Sequence, residues 1–248
     1  MNRPRSMIFI GFWIFAVFII SGLHAIVANG HSPIEAYGNT SLETALHIQE
    51  PTKSWAIYGE FREPKEYQYY FFSIDRGDEI YIQLFKPVGK DPDFIASFVL
   101  IGDGLSNNME FPEVITGFSG KNYSVQLGES PARRSYEPFT PSALEYMATL
   151  RIDAQINGTY YIVVFSNNHT GSYGMAVGTE EAFTIQEIAR LPYQIVLIYL
   201  WEGQALYLIF LPFFLVTLIG ILFLLRLHKI QGTPLNPAQL ILDRKSVV

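Results

Sequence analysis

Short apolar runs, some alternating with polar residues, occupy the middle of the chain and are separated by turn residues. The runs cover residues 54–60, 67–74, 79–85, 94–101, 122–127, 148–156, 158–166 and 171–177. About eight such runs, with hardly any helical periodicity, predict an all-β fold: an antiparallel β-sandwich or jelly roll over residues 31–187. The polar segment 167–171 predicts a hairpin between the last two runs. The proline-containing stretch 129–146 predicts a long loop.

One uncharged apolar block near the C-terminus predicts a transmembrane α-helix. It covers residues 205–225, which as a helix would reach roughly 31 Å, the thickness of a bilayer hydrocarbon core. Arg226, His228 and Lys229 follow at once, so the tail 226–248 is expected in the cytoplasm and the sandwich outside it. The prediction is therefore a single-pass type I protein of the cell membrane.

The segment 188–204, just before this block, is apolar but interrupted by Arg190, Gln194 and Glu202. It contains Tyr199 and Trp201, residue types that are common at the membrane interface. Three interpretations stay open for this juxtamembrane segment. It could lie on the membrane, extend the spanning helix outward, or pack beneath the sandwich.

The N-terminus has the order of a secretory signal peptide, predicted over residues 1–30. Arg3 and Arg5 precede an apolar run, and small residues follow it. Cleavage could follow Ala28 or Gly30. The alternative is an uncleaved signal anchor, since the apolar stretch is also long enough to span a bilayer.

The charge is concentrated in the predicted exported domain. Residues 31–204 carry 22 of the 23 acidic residues and 11 of the 17 Lys and Arg, a net charge of −11. Such an acidic domain repels nucleic acid and anionic membrane surfaces, so no nucleic-acid partner is expected. The chain has no cysteine, which excludes thiolate metal sites and cysteine nucleophiles.

Four N-x-[ST] sequons support an exported surface, because all of them fall in the predicted ectodomain. Their asparagines, the glycosylation candidates, are Asn39, Asn122, Asn157 and Asn168.

Five motifs occur in the order found in the pre-peptidase C-terminal (PPC) domain, and residues 39–178 resemble that family. They are the opening segment 39–45, the strand 67–72 with Gly77, the segment 91–94, the segment 158–164, and the closing segment 171–173. The resemblance implies a β-sandwich of the kind often appended to secreted proteins. The long loop 129–148 and the apolar helix depart from the usual PPC arrangement, and no peptidase domain accompanies it.

Calcium is the ion that the sequence favours, although no cofactor is required by any motif. Asp91 and Asp93, or Asp103 with nearby asparagines, could supply oxygen ligands. Some PPC-like domains use acidic loops in this way. The alternative is that both segments simply form turns.

A copper site is the second possibility, and it depends on cleavage after Gly30. His31 would then be the N-terminal residue, and its amine and imidazole could chelate copper with the help of His47. His169 is a poorer second ligand because it lies in a predicted loop. We expect no stoichiometric copper.

Two functional hypotheses follow. The first is a membrane-anchored, non-catalytic binding or scaffolding module, an accessory subunit that docks another membrane or surface protein or an extracellular polymer. The alternative is an exported copper-dependent enzyme subunit that uses His31. No Gly-x-Ser-x-Gly elbow or phosphate-binding loop is present, so the sequence favours the non-enzymatic hypothesis.

Overall fold

A computed structural model describes residues 30–112, 115–130, 133–137, 140 and 142–231. The predicted signal peptide, apart from its last residue, and the tail after residue 231 lie outside the described residues. The described part contains eleven strands and two helices. The strands are β1 (Ser32–Glu35), β2 (Leu46–His47), β3 (Trp55–Phe61), β4 (Tyr67–Ile74), β5 (Glu79–Pro87), β6 (Ala96–Ile101), β7 (Tyr123–Gln126), β8 (Arg133–Glu137), β9 (Ser142–Asp153), β10 (Gly158–Ser166) and β11 (Gly171–Val177). The helices are α1 (Ile185–Trp201) and α2 (Leu206–Gln231).

Two sheets form a β-sandwich, which confirms the predicted fold class. The six-stranded sheet has the order β1-β3-β11-β5-β9-β8, and the five-stranded sheet has the order β2-β4-β10-β6-β7. Both sheets are mixed, because β1 pairs with β3 and β2 pairs with β4 in parallel, whereas the other pairs are antiparallel. The two parallel strands are short edge strands, too short to give a sequence pattern of their own.

The predicted hairpin between β10 and β11 is wrong. β10 lies in the five-stranded sheet and β11 in the six-stranded sheet, so segment 167–170 crosses between the sheets. Asn167 fixes this crossing: its Oδ1 accepts from Ile95 N at 3.1 Å, and its Nδ2 donates to Asp93 O at 3.1 Å. A polar loop between two apolar strands is thus compatible with a crossing as well as with a hairpin.

The predicted loop over 129–146 is also wrong in part. β8 lies within it, and β9 already begins at Ser142. β8 pairs with β9 at the edge of the six-stranded sheet. The prolines of this stretch fall outside the sequence bounds of both strands.

Apolar residues fill three layers. The main core lies between the sheets and contains large side chains such as Phe72, Phe98 and Tyr173. A second cluster lies on the outside of the five-stranded sheet, where Ile115 and Phe118 cover it. A third cluster includes Phe85 and Trp201 and lies on the opposite outer face.

Helix α1 belongs to the same compact unit as the sandwich, which ends at Gly203. Thr184 caps its N-terminus in a capping box with Glu187. Lys53 Nζ donates to Glu187 Oε1 at 2.6 Å, and Gln194 Nε2 donates to Pro33 O at 3.1 Å. The juxtamembrane segment therefore packs against the sandwich, one of its three predicted possibilities, and the sequence-based boundary at residue 187 falls inside this helix.

Helix α2 is the predicted apolar helix. Residues Leu206–Phe223 have a mean hydropathy of 2.6, and none of them is buried in the described structure. By length and composition the helix could span a membrane. It continues past residue 225 to Gln231, so the basic residues that begin the predicted tail are helical.

Candidate binding groove beside Trp201

The end of helix α1 is fixed on the six-stranded sheet by Trp201. Its indole Nε1 donates to Gly59 O at 3.1 Å, and its ring packs edge-on against Tyr58 with the centroids 4.9 Å apart. Lys90 Nζ donates to the carbonyl oxygen of Trp201. An indole with a satisfied N–H and aromatic neighbours is well held, so the helix end and strand β3 form one fixed corner.

Two adjoining depressions, of about 270 Å³ and 490 Å³, open at this corner. Both are lined by Tyr37, Tyr58, Glu60 and Trp201. We call them together the Trp201 groove. Glu35, Lys90 and Leu197 also line the smaller part, and Arg62, Glu63 and Glu66 also line the larger part.

The rim of the groove is acidic and aromatic. Tyr37 is 72% exposed, and its hydroxyl donates to Glu35 Oε2 at 2.6 Å. This hydrogen bond raises the pKa of Tyr37, so the phenol stays protonated at neutral pH. Glu60 and Glu63 are exposed, and the Glu60 carboxylate lies 3.4 Å from Arg62 Nε. An exposed ion pair of this kind is weak, so Glu60 can readily exchange its partner.

A buried polar network supports the groove from below. The Tyr173 hydroxyl donates to Gln68 Oε1 at 2.7 Å and lies 2.5 Å from the Tyr70 hydroxyl. Gln68 Nε2 in turn donates to Glu60 O at 2.7 Å and to Glu66 Oε1 at 3.2 Å. Burial raises the pKa of Tyr70 to about 12 and raises the pKa of Tyr173 well above its ordinary value, which keeps both phenols neutral. Because each group has a partner, the network holds the backbone of the groove in place.

Glu66 also has a structural role, because its Oε2 accepts from Arg62 N at 2.9 Å. The carboxylates that face a ligand are therefore those of Glu35, Glu60 and Glu63. Together with the phenol of Tyr37 and the indole of Trp201, these three carboxylates could bind a cationic side chain on an extended or flexible segment.

The structure brings a lysine to the loop where calcium was expected. The Lys86 ammonium is buried and donates to the carbonyl oxygens of Asp91 at 2.9 Å, Pro92 at 3.2 Å and Phe94 at 2.8 Å. Glu145 Oε2 lies 3.8 Å away. A cage of three carbonyl oxygens and a carboxylate is also what a calcium ion would use. In this loop the ammonium group of Lys86 is the cation that these oxygens bind.

The three calcium candidates do not form one site. The carboxylate of Asp91 accepts from Ser172 N at 2.9 Å, and Asp93 is exposed. Asp103 is bound instead by Lys121 Nζ at 2.8 Å. Within the part of the chain that the structure describes, no three His, Cys, Asp or Glu side chains are grouped to hold a metal ion.

The copper candidates lie on different sheets. His31 precedes β1 of the six-stranded sheet and shares a hydrogen bond with the buried Ser54. Burial lowers the pKa of His31, and Glu137 and Glu181 partly oppose this. His47 stacks on Phe71 of the five-stranded sheet, with the ring centroids 4.6 Å apart. The structure does not bring the two imidazoles together, and His169 is exposed in the crossing loop.

The four sequons divide into two kinds. Asn39 is buried, and its Nδ2 donates to Tyr69 O at 3.2 Å, so it fixes the start of the sandwich rather than presenting a free amide. Asn122, Asn157 and Asn168 are exposed. The Arg76 N–H donates to Asn157 Oδ1 at 2.7 Å, which leaves the Asn157 side-chain nitrogen outside this bond.

Sequence reasoning missed the Trp201 groove, because its residues come from three separate parts of the chain: Glu35 with Tyr37, Glu60, and Trp201. Each is an ordinary residue in its own segment, and only the return of α1 onto β3 assembles them. The aromatic content of segment 188–204 is the one available signal, and it is compatible with a membrane interface as well as with packing beneath the sandwich.

Comparisons with known proteins give no family for the chain. No protein-family model matches it, and no curated protein matches it. A solved structure titled "Structure of the Clostridium Perfringens CspB protease" is similar over 64% of this chain, at 18% identity and a TM-score of 0.30. The match covers 36% of that protease chain, so this chain corresponds to about a third of its length. At that TM-score the likeness carries no argument about fold or activity.

Proposed function

We propose that this protein is a membrane-anchored, non-catalytic binding module whose Trp201 groove docks a basic segment of another membrane or surface protein. The observation that carries the proposal is the pairing of exposed aromatic and carboxylate side chains in one supported groove, above all Tyr37 beside Glu35 and Glu60. Tyrosine and tryptophan are enriched at protein interfaces because they offer both apolar area and a polar group.

The chemistry of the groove favours binding over catalysis. Among its described lining residues there are carboxylates, phenols and an indole but no imidazole to act as a base near neutral pH. The fixed corner at Trp201 and the satisfied network below it leave little to reorganise when a ligand binds. A preorganised site of this kind loses less entropy on association than a flexible one does.

Membrane anchoring by α2 is the second part of the proposal. The length and hydropathy of α2 support it, and its basic C-terminal end supports a cytoplasmic tail. The three exposed sequons support an exported sandwich. The PPC-like character of the sandwich stays part of the proposal, supported by the buried tyrosines Tyr160 and Tyr173 that follow the glycines of the last two motifs.

The binding test uses the full chain in lipid nanodiscs and a short peptide rich in lysine, arginine and tryptophan. Its matched partner is the same peptide with glutamine in place of the basic residues. We expect the basic peptide to bind more tightly, and the variant Glu35→Gln/Glu60→Gln/Glu63→Gln to lose affinity. Three partly exposed charge contacts at about 0.2–1 kcal/mol each predict a loss of roughly 3- to 150-fold.

The control variant removes three exposed acids elsewhere on the sandwich, Glu110→Gln/Glu129→Gln/Asp153→Asn, and so changes the net charge equally. It should keep the affinity of the original protein at constant salt. Equal losses in the two variants would mean that the peptide responds to net charge alone, and the groove would not be the binding site.

A further inference from the structure

Helix α1 has an apolar face that points away from the sandwich. Its two fully buried residues, Leu191 and Ile198, are seven positions apart and therefore lie on one side of the helix. The opposite side of the helix carries Ile185, Ala189, Tyr193, Val196 and Leu200. They follow one another at intervals of four, four, three and four residues, which is the spacing of one helix face.

This outward face is largely uncovered in the structure. Ile185 is 86% exposed, Tyr193 is 67% exposed and Leu200 is 40% exposed. A helix on the surface of a soluble domain normally has polar residues on its outer side, whereas one that is apolar on both sides has both sides covered. The sandwich covers one side of α1, so another apolar medium is needed for the other.

The charged residues of α1 lie away from that face. The helix contains two of them, Glu187 and Arg190. Glu187 is turned toward the sandwich by its ion pair with Lys53, whose side chain is 7% exposed. Burial opposes ionisation of Glu187, but the hydrogen bonds from Lys53 and Thr184 outweigh it and lower its pKa. Arg190 is exposed at the flank, where a long side chain can reach lipid phosphates while its stem stays in apolar surroundings.

The length of the connection to α2 identifies the medium. Four residues separate Trp201 from Leu206, so their Cα atoms can be at most about 18 Å apart. If α2 spans the bilayer, as the proposed function holds, the C-terminal end of α1 cannot leave the neighbourhood of the membrane surface. Tyr193, which is exposed on the outward face, is of a residue type that concentrates at the lipid interface.

We propose that the outward face of α1, formed by Ile185, Ala189, Tyr193, Val196 and Leu200, inserts into the lipid interface. The helix then contacts the sandwich with one side and the bilayer with the other, which holds the sandwich against the membrane instead of on a flexible stalk. This inference rests on the proposed anchoring by α2. The last residue of the outward face, Leu200, also lines the smaller part of the Trp201 groove, whereas Ile185, Ala189, Tyr193 and Val196 do not line the groove.

The test exploits the absence of cysteine, which allows a single labelled site in the full chain. Ala189→Cys, Tyr193→Cys and Leu200→Cys place an environment-sensitive fluorophore on the outward face. Ser119→Cys, exposed in a loop of the sandwich, is the aqueous control, and Phe214→Cys in α2 reports on the span. Each variant is reconstituted in phosphatidylcholine vesicles, with and without lipids that carry a spin-label quencher, which is near the headgroup for the α1 positions and deep on the acyl chain for position 214.

We expect quencher lipids to reduce the emission at positions 189, 193, 200 and 214, and to leave position 119 unchanged. Quenching at 214 with full emission at the three α1 positions would overturn the inference while the anchoring stands. Iodide, a quencher dissolved in the water, gives a second readout. If neither iodide nor the quencher lipids reduce the emission at the α1 positions, protein covers the outward face, and the inference is overturned. Full emission at position 214 would remove the proposed anchoring itself, and the inference with it.

Discussion

Replacing Lys86 with methionine removes the internal cation of the loop before β6 and nearly preserves the side-chain volume. The ammonium makes three hydrogen bonds to backbone carbonyls, from Asp91, Pro92 and Phe94. Hydrogen bonds that involve a charged group contribute about 1.5–3 kcal/mol each, but the variant also avoids the cost of burying the charge. Breaking a buried charge arrangement costs about 3–5 kcal/mol in total.

Glu145 moves the expected value toward the lower end of that range. It lies 3.8 Å from Lys86, but Arg134 Nη2 binds it at 2.8 Å, so its carboxylate keeps a partner in the variant. The carbonyls of Pro92 and Phe94 lose their bond to Lys86, whereas Asp91 O still accepts from Phe94 N at 3.1 Å. We therefore expect Lys86→Met to lower the free energy of unfolding by about 3 kcal/mol, which corresponds to a fall in Tm of roughly 6–12 °C in a domain of this size.

Urea denaturation of fragment 30–203, followed by tryptophan fluorescence, measures this loss. The fragment retains Trp55 and Trp201 as reporters. Lys121→Met is the matched control, because Lys121 forms an ion pair with Asp103 in which both side chains are about half exposed. That change should cost at most about 1 kcal/mol. If Lys86→Met costs no more than the control, the lysine does not organise the loop and the reasoning is refuted.

Three further predictions concern the fold. Gly59→Ala should destabilise the sandwich by about 1–3 kcal/mol in urea titrations, since a Cβ would lie 2.7 Å from the Tyr173 ring, whereas Gly158→Ala, which faces open space, should change stability little. Fragment 30–203 should be soluble and β-rich by circular dichroism. Fragment 30–187 should bind more of a hydrophobic dye than fragment 30–203 does, because losing α1 exposes Tyr58 and Phe85. Equal dye binding by the two fragments would contradict this role for α1. The pKa of His31 is lower in the folded protein than in the unfolded chain. The contribution of neutral His31 to the free energy of unfolding is therefore complete above the ordinary histidine pKa of about 6.5, and it is lost as the pH falls through the lower folded-state pKa. His31→Asn should flatten this decline, and His169→Asn, at an exposed position, should not.

The sandwich could be predicted because apolar alternation survives in most of its strands. β4, β5, β10 and β11 lie where their patterns place them, and α2 is long and apolar enough to be recognised without any tertiary information. Pairing could not be predicted in the same way. A polar loop between β10 and β11 has the same composition whether the next strand stays in its sheet or crosses to the other.

The polar sites were harder to predict, because side-chain partners at long sequence separation decide them. Asp91 and Asp93 resemble calcium ligands in sequence, but Lys86, five residues before Asp91, already binds the carbonyls of the loop. Asn39 matches a sequon, yet its burial against Tyr69 makes it structural. Trp201 looked like an interfacial residue and instead closes a groove against Gly59, 142 residues earlier in the chain.

Site-specific photo-cross-linking in native membranes tests the central claim most directly. A photoreactive residue replaces the exposed Tyr37 at the rim of the Trp201 groove, and the same residue at Ser119 is the control on the sandwich surface. The account predicts a discrete adduct with one membrane or surface protein from position 37 and none from position 119. It also predicts that the yield of the adduct falls when Glu60 and Glu63 are changed to glutamine and that its cross-linked peptide contains lysine or arginine. An adduct that forms equally from both positions, or whose yield is unchanged in the Glu60→Gln/Glu63→Gln variant, would contradict the proposed docking groove.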